Sequence, residues 1–446
     1  MKKLSTLICA LLLCVCFILS GCSMPLTMPS GEIKSNGGSA VVVGDYVYYA
    51  NAYVSASSLK TGDNDEARVE HNSIYRVKTE NGKTVKDERD NVQNIEKAIA
   101  KIAGFETSNM FAKGDYLYFT SPNAHKSSVE GEEGKDRFDL TTLFRCKLDG
   151  TGLKEILTTQ TTAGKFYLAK QGDKDVLFVF DDGKIQQLEI GDKLTEIKTL
   201  VEDVTDTVFP QEFGASLSTL FYTKALPEQQ QNDGLTGNIL YRYNIEDAKS
   251  TAVYQKNKET VTLVAYDTNR LYYTRNNDYY SNSLKEGKGF EVDEVQHTYV
   301  GDTTKITEFY SFGTSDNGDV LPVVYVFNSK MFIQTTTANP TVFHNAAVTV
   351  EFISGEYVFF STESGIYRKS YKTPNQDAVQ LTDKSDIKTG TADFDGKYVY
   401  FYAKAENNST DTYYMHRANL TTAVRGEMKT ECISYVLADD LVEDAE

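Results

Sequence analysis

The chain has 446 residues, a formal charge of −17, and Tyr 29 with Phe 23 against Trp 0. That length exceeds one ordinary domain core, so the fold must grow by adding units. A surface this acidic repels phosphate backbones and anionic headgroups, which excludes nucleic acid as a partner.

Lys2 and Lys3 precede an apolar run, Leu4 to Leu19, interrupted only by Ser5 and Thr6. Basic start, short apolar stretch and small residues before a cut describe a signal peptide over 1–21. The run is shorter than the roughly 20 residues that span a bilayer. It ends Leu19-Ser20-Gly21-Cys22, which resembles the lipobox of bacterial lipoproteins, whose Cys thiol is acylated and becomes the new N-terminus. The resemblance implies lipid attachment at Cys22 and an extracytoplasmic protein held to a bacterial membrane. A two-chain anchor at about 0.8 kcal/mol per buried CH₂ holds a soluble body there. Removing the leader with its two lysines makes the charge −17 − 2 = −19.

Residues 22–38 contain Pro, Ser and Gly without periodicity and read as a lipidated tether. From 39 to 437 the pattern is β, and one phrase recurs: a tight turn followed by a doubly apolar aromatic strand. It stands at Tyr46-Val47-Tyr48-Tyr49, Tyr116-Leu117-Tyr118-Phe119, Val176-Leu177-Phe178, Leu220-Phe221-Tyr222, Leu271-Tyr272-Tyr273, Val324-Tyr325-Val326, Tyr357-Val358-Phe359-Phe360 and Tyr398-Val399-Tyr400-Phe401. An apolar strand precedes each copy, and a third strand often reads apolar-aromatic-Arg, as at Arg76, Arg145, Arg242, Arg368 and Arg417. A weaker fourth strand follows (Lys154–Leu157, Thr251–Gln255, Ala378–Leu381). Four strands per repeat make a propeller blade.

A sandwich strand alternates apolar with polar because one face meets water. Strands apolar on both faces need cover on both sides, which neighbouring blades give. Each buried aromatic contributes about 4–6 kcal/mol before entropy is counted. The expected fold is all-β: a propeller of four-stranded blades, eight by the count of repeats, with seven the alternative. Val92, Ile95, Ile99 and Ile102 fall at helical spacing before Gly104, predicting one short helix over Asn91–Ala103 between the first two blades. Residues 438–446 form an acidic tail.

The Gly-Asp-Tyr-x-Tyr-Phe and Leu-Phe-Arg-x-Lys-Leu-Asp-Gly-Thr-Gly phrases resemble the propeller domain of unknown function common in bacterial extracytoplasmic lipoproteins. That domain is itself similar to the YWTD-type propeller of low-density-lipoprotein-receptor relatives. The match is sharpest over Phe111–Thr158, fair at Val41–Lys78, Leu240–Tyr254 and Phe352–Thr382, and weak over Lys256–His344. The Tyr-Trp-Thr-Asp phrase itself is absent. The resemblance implies fold and envelope location and brings no catalytic residues.

Long stretches follow the second strands (Ala52–Asn72, Ser121–Thr141, Lys224–Asn238, Arg275–Gly289, Ala403–Thr412), which places elaborated loops on one rim. Tyr279 and Tyr280, in the Asn- and Ser-rich stretch Asn276–Ser283, are the candidate aromatics for stacking on a glycan. The recurring arginines suit structural ion pairs better than a ligand ring. The clusters Asp63–Glu66 and Glu130–Glu133 lack the ligand spacing of a calcium loop. His71, His125, His297, His344 and His416 are scattered, predicting no metal site. No nucleophile elbow or phosphate loop occurs, so no catalytic residue and no cofactor are assigned. Cys146 and Cys432 are expected as buried free thiols, with a bridge the alternative. The expected function is a monomeric, membrane-anchored binding or scaffolding module for a protein or envelope polymer. The alternative is a carbohydrate-active or peptide-processing enzyme with carboxylates in the central channel.

Overall fold

The computed structural model describes residues 26–436 apart from 54–72, 87–91, 101–109, 123–140, 160–163, 212–213, 268–269, 277, 284–293, 298–305, 314–319, 335–338 and 405–411. Cys22 with its flanking Leu19, Ser20 and Gly21, the two acidic clusters and the C-terminal tail lie outside the described residues. Eight antiparallel sheets follow one another along the chain. Blade 1 holds Ala40–Val43, Tyr46–Ala50, Ile74–Glu80 and Lys83–Thr84; blade 2 holds Met110–Lys113, Tyr116–Pro122, Thr141–Lys147 and Lys154–Thr158. Blade 3 runs from Lys165–Gln171 to Lys198–Val201, blade 4 from Asp206–Val208 to Lys249–Tyr254, and blade 5 from Val261–Tyr266 to Val295–Gln296. Blade 6 runs from Ile306–Ser311 to Thr341–His344 and blade 7 from Thr349–Ser354 to Val379–Gln380. Blade 8 comprises Asp393–Phe394, Tyr398–Ala403, Tyr413–Asn419 and Thr430–Cys432. First strands of blades 1 and 2, 4 and 5, 5 and 6, and 6 and 7 approach one another, on the side of the central channel.

The second strands are buried on both faces, as their composition requires: every residue of Tyr46–Ala50, Val323–Phe327 and Tyr398–Ala403 is buried. Apolar clusters then join each blade to the next. One spans blades 8, 1 and 2, another blades 2 and 3, and a third blades 3, 4 and 5. Three more join blades 5 and 6, 6 and 7, and 7 and 8, which completes the circle. Tyr48, Tyr49, Tyr75, Tyr118, Tyr222, Tyr272, Tyr273, Tyr325, Tyr400, Tyr402 and Tyr414 are all under 2% exposed. Some of their hydroxyls bond across blade boundaries: Tyr48 donates to the Leu148 carbonyl at 2.6 Å and Tyr402 to the Ala50 carbonyl at 2.7 Å.

Closure of the ring uses the first blade's chain. After its second strand, Ala52–Tyr53 crosses over and pairs with Tyr413 and Tyr414 of blade 8, while Thr430–Cys432 pairs with the rest of that strand. Asn51 completes the seam, its Nδ2 donating to the Tyr435 carbonyl at 2.8 Å and its carbonyl accepting from Ser434 at 2.6 Å.

Within the span expected as a helix, Ile95–Ala100 forms a strand, while 91 and 101–103 lie outside the described residues. Ile95–Ala100 pairs antiparallel with Ile74–Glu80, placing Ile95 opposite Val77 and Glu96 opposite Arg76. Lys83–Thr84 covers only Thr79 and Glu80, so the remaining edge of that buried third strand requires hydrogen-bond partners. Asn94, at φ 61°, turns the chain into this position and interrupts any helix through it. Tertiary demand overrides the helical spacing. The described helices are Glu228–Asn232, in the connection between the second and third strands of blade 4, and Leu420–Ala423, in blade 8.

Candidate functional site

Turns between first and second strands, such as Gly44-Asp45, lie on one rim; connections from second to third strands, such as residues 226–237, lie on the other. They are called the turn rim and the loop rim here. The expectation of a long loop after Arg275 is corrected. Arg275 pairs directly with Asp278, leaving a two-residue turn, and the long segment follows the third strand instead. Consequently Tyr279 and Tyr280 sit within the strand Asp278–Ser283 and are 7% and 9% exposed. Tyr279 stacks on Phe309 of blade 6, and Arg275 lies 4.1 Å from the Tyr280 ring. Both are core residues, unable to receive a sugar ring.

The recurring arginines hold blades together. In each of blades 1, 2, 7 and 8 the third-strand guanidinium stacks on the leading tyrosine of the second strand: Arg76 on Tyr46 at 4.2 Å, Arg145 on Tyr116 at 4.4 Å, Arg368 on Tyr357 at 4.3 Å and Arg417 on Tyr398 at 4.2 Å. Three then donate to a carbonyl of the following blade. Arg76 reaches Leu148 at 2.8 Å, Arg145 reaches Gly191 at 2.7 Å, and Arg417 crosses the closure to Gly82 at 3.3 Å. Glu96 pairs with Arg76 at 2.5 Å and Glu431 with Arg417 at 2.9 Å. Stacking, about 0.5–2 kcal/mol for a desolvated cation on a ring, fixes the fork so that it meets the next blade. Arg242 is half-buried in blade 4.

A second series runs around the channel. The Glu308 carboxylate of blade 6 accepts from the Val350 amide of blade 7 at 2.8 Å. Glu351 of blade 7 accepts from Gly390 at 2.9 Å and Ala392 at 2.8 Å at the first strand of blade 8, and from Ser361 at 2.5 Å. Asp393 of blade 8 accepts from Ser35 at 2.6 Å and Ala40 at 3.4 Å, and Asp206 of blade 4 accepts from the Leu263 amide of blade 5 at 3.3 Å. Between blades 1 and 2 an amide plays the part: Asn36 accepts from the Ala112 amide at 2.7 Å and donates to its carbonyl at 3.1 Å. Burial holds the carboxyls of Glu308, Glu351, Asp393 and Asp206 above the ordinary range. Each of these carboxylates clasps the next blade's backbone.

One other grouping has the chemistry of a nucleophile and base. His297 Nε2 lies 2.7 Å from Ser281 Oγ in blade 5. Ser281 is 0% and His297 4% exposed, and Arg270 donates to the same Oγ at 2.9 and 3.2 Å. Burial, with Arg270 adding to it, pushes the imidazole down to about 4, so it stays neutral. A serine closed off from solvent with its oxygen facing a guanidinium has no route to a substrate. His344 lies tilted against Phe360 at 4.7 Å, and His416 is buried beside the Tyr414 carbonyl. No group of three or more potential metal ligands occurs among the described residues.

Cys146 and Cys432 do not bridge to each other; the former is buried and the latter half-buried. Burial pushes the Cys146 thiol up to about 12. On the loop rim, a cleft of about 420 Å³ beside the channel is lined by Thr120, Gly164, Lys165, Phe166, Tyr167, Val208 and Phe209. Tyr167 and Phe209 stack at 5.2 Å beneath it, and Lys165 donates to the Thr207 carbonyl at 3.1 Å.

No family model and no curated protein matches the sequence. Among solved structures, dipeptidyl peptidase 4 of Porphyromonas gingivalis is 10% identical, with a TM-score of 0.45 over 91% of this chain and 60% of that one. AztD from Citrobacter koseri, without ligand, is 9% identical, with a TM-score of 0.42 over 80% and 90%. PorZ, a surface component of the type-IX secretion system of Porphyromonas gingivalis, is 11% identical, with a TM-score of 0.41 over 74% and 38%. This chain spans less than two thirds of the peptidase and PorZ chains. The likeness is one of fold, and no activity or partner is carried across from it.

Proposed function

We propose that this propeller is an extracytoplasmic binding or scaffolding module, anchored to a bacterial membrane by lipid on Cys22, whose loop rim receives a protein or an envelope polymer. The observation that carries the non-catalytic reading is the use of the channel carboxylates. Glu308, Glu351, Asp393 and Asp206 all accept hydrogen bonds from the neighbouring first strand. A general acid or base needs a face open to substrate, whereas these groups hold the ring. The buried Ser281–His297 pair supports the same reading. A rigid ring presenting one elaborated rim suits recognition.

The test uses the lipid-free body, Ser23 onward, as bait against solubilised envelope proteins and purified envelope polymers. Replacing residues 228–235 of the described loop by a two-residue turn lowers capture, whereas Asp206→Asn leaves capture unchanged below its melting temperature. Hydrolysis of a glycan or peptide by the intact body, abolished by one channel carboxylate-to-amide change, would replace this proposal with the enzyme reading.

A further inference from the structure

The chain before the first blade does not hang free of the ring. Lys34 donates to the Val42 carbonyl at 2.9 Å, Val42 to the Ser35 carbonyl at 3.1 Å and Gly44 to the Glu32 carbonyl at 3.0 Å. Ile33 faces Val43 across an antiparallel bridge. Residues 32–35 therefore run along the channel side of Ala40–Val43, opposite in direction. By Gly37 and Gly38 the segment exchanges hydrogen bonds with Met110, at the loop-rim end of blade 2. Its other end lies at the Gly44 turn, where the Ser30 carbonyl comes so close that a Cβ on Gly44 would sit 2.1 Å from it. Leu26 and Met28 pack against the cluster shared by blades 8, 1 and 2. The N-terminal segment thus enters through the turn rim. Within the expected tether, 22–38, Leu26, Met28 and residues 32–38 therefore lie against the ring.

Four residue steps separate Cys22 from Leu26, at most about 14 Å of chain. A second strand of six or seven residues stands about 20 Å from rim to rim. A lipid on Cys22 therefore cannot reach a bilayer laid against the loop rim. Leu153 and Ile197, 46% and 37% exposed, follow the third-strand turns of blades 2 and 3 and stand on the turn rim as well. We infer that the turn rim faces the lipid surface, with Leu153 and Ile197 toward the headgroup layer, and that the loop rim points away from the membrane. This rests on the proposed lipidation of Cys22.

The experiment takes the lipidated full chain in phosphatidylcholine vesicles that carry a headgroup quencher. Cys146→Ser and Cys432→Ser leave single labelling sites at Asp173→Cys, exposed on the turn rim, or Gln229→Cys, exposed on the loop rim. Fluorescence at position 173 is quenched at least threefold more than at 229. Equal quenching, or stronger quenching at 229, overturns the orientation. Sedimentation of the same samples separates the two readings: protein that stays in the supernatant with Cys22 intact refutes the anchor, whereas bound protein with reversed quenching refutes the orientation alone. Leu153→Ser with Ile197→Ser leaves sedimentation unchanged and reduces quenching at 173; unchanged quenching removes those two side chains from the contact.

Discussion

Glu351→Gln separates a structural carboxylate from a chemical one. Glu351 Oε1 accepts from Ser361 and Gly390, and Oε2 accepts from Ala392. A glutamine keeps one oxygen and places its NH₂ against an amide N–H or against the Ser361–Gly390 pair. One hydrogen bond to a charged group is lost, at about 1.5–3 kcal/mol, and a buried donor is left facing another, so the loss is about 2–4 kcal/mol. The pH dependence has a definite sign. Burial raises the Glu351 carboxyl, so between its ordinary value near 4.3 and that raised value the folded protein binds more protons than the unfolded one. Its contribution is fully present below the ordinary value and is lost as pH rises through the raised one. Glu308, on the adjoining first strand, is the charged neighbour, and its own carboxyl is raised by burial and by Glu351. The glutamine variant lacks this titration, so its deficit against the native protein widens as pH falls from 7.5 to 5. Urea unfolding followed by tyrosine fluorescence at both pH values measures it, helped by the absence of tryptophan. A deficit below about 0.5 kcal/mol, or one that narrows on acidification, would refute the clasp.

Other parts of the ring make equally specific demands. Tyr402→Phe leaves the buried Ala50 carbonyl without its hydroxyl partner and lowers stability by about 1–3 kcal/mol in urea titration. Arg76→Ala removes the stack on Tyr46 and the bond to Leu148 and costs about 3–5 kcal/mol, whereas Arg76→Met, which refills the space and leaves Glu96 at the half-open edge, costs less than half as much. Gly237→Ala strains the chain, since φ is 115° there and a Cβ would lie 2.2 Å from the Glu259 carbonyl oxygen; a fall in melting temperature checks it. Cys146 stays unlabelled by iodoacetamide at pH 8 until the protein is unfolded, because its thiol is buried and titrates at about 12; mass spectrometry of native and denatured samples shows the difference.

The propeller was legible because its signal is local. Val47-Tyr48-Tyr49 or Val399-Tyr400-Phe401 can be read within one strand, and burial on both faces leaves few other architectures. What escaped reading depends on distant partners. Ile95–Ala100 has the spacing of a helix, and only the open edge of Ile74–Val77 makes it a strand. Tyr279 and Tyr280 stand among Asn and Ser residues and look exposed, but the turn at Asn276 folds them back against Arg275 and Phe309. The arginine repeat announces equivalence from blade to blade without naming the carbonyls it meets. The clasping role of Glu351 or Asp393 cannot be picked from 63 acidic residues, because the amides they bind are visible only once first strands lie side by side. The crossing of Ala52–Tyr53 to the last blade is hidden for the same reason.

That crossing carries the claim of a closed eight-bladed ring, and one cross-link tests it. Tyr53 lies opposite Tyr413 in the register. With Cys146 and Cys432 changed to Ser, Tyr53→Cys with Tyr413→Cys is predicted to oxidise within one chain. Cleavage anywhere in residues 54–412 then leaves the two ends joined until reductant is added. Fragments that separate without reductant, or bridges that form only between chains, would contradict closure by the first blade upon the eighth.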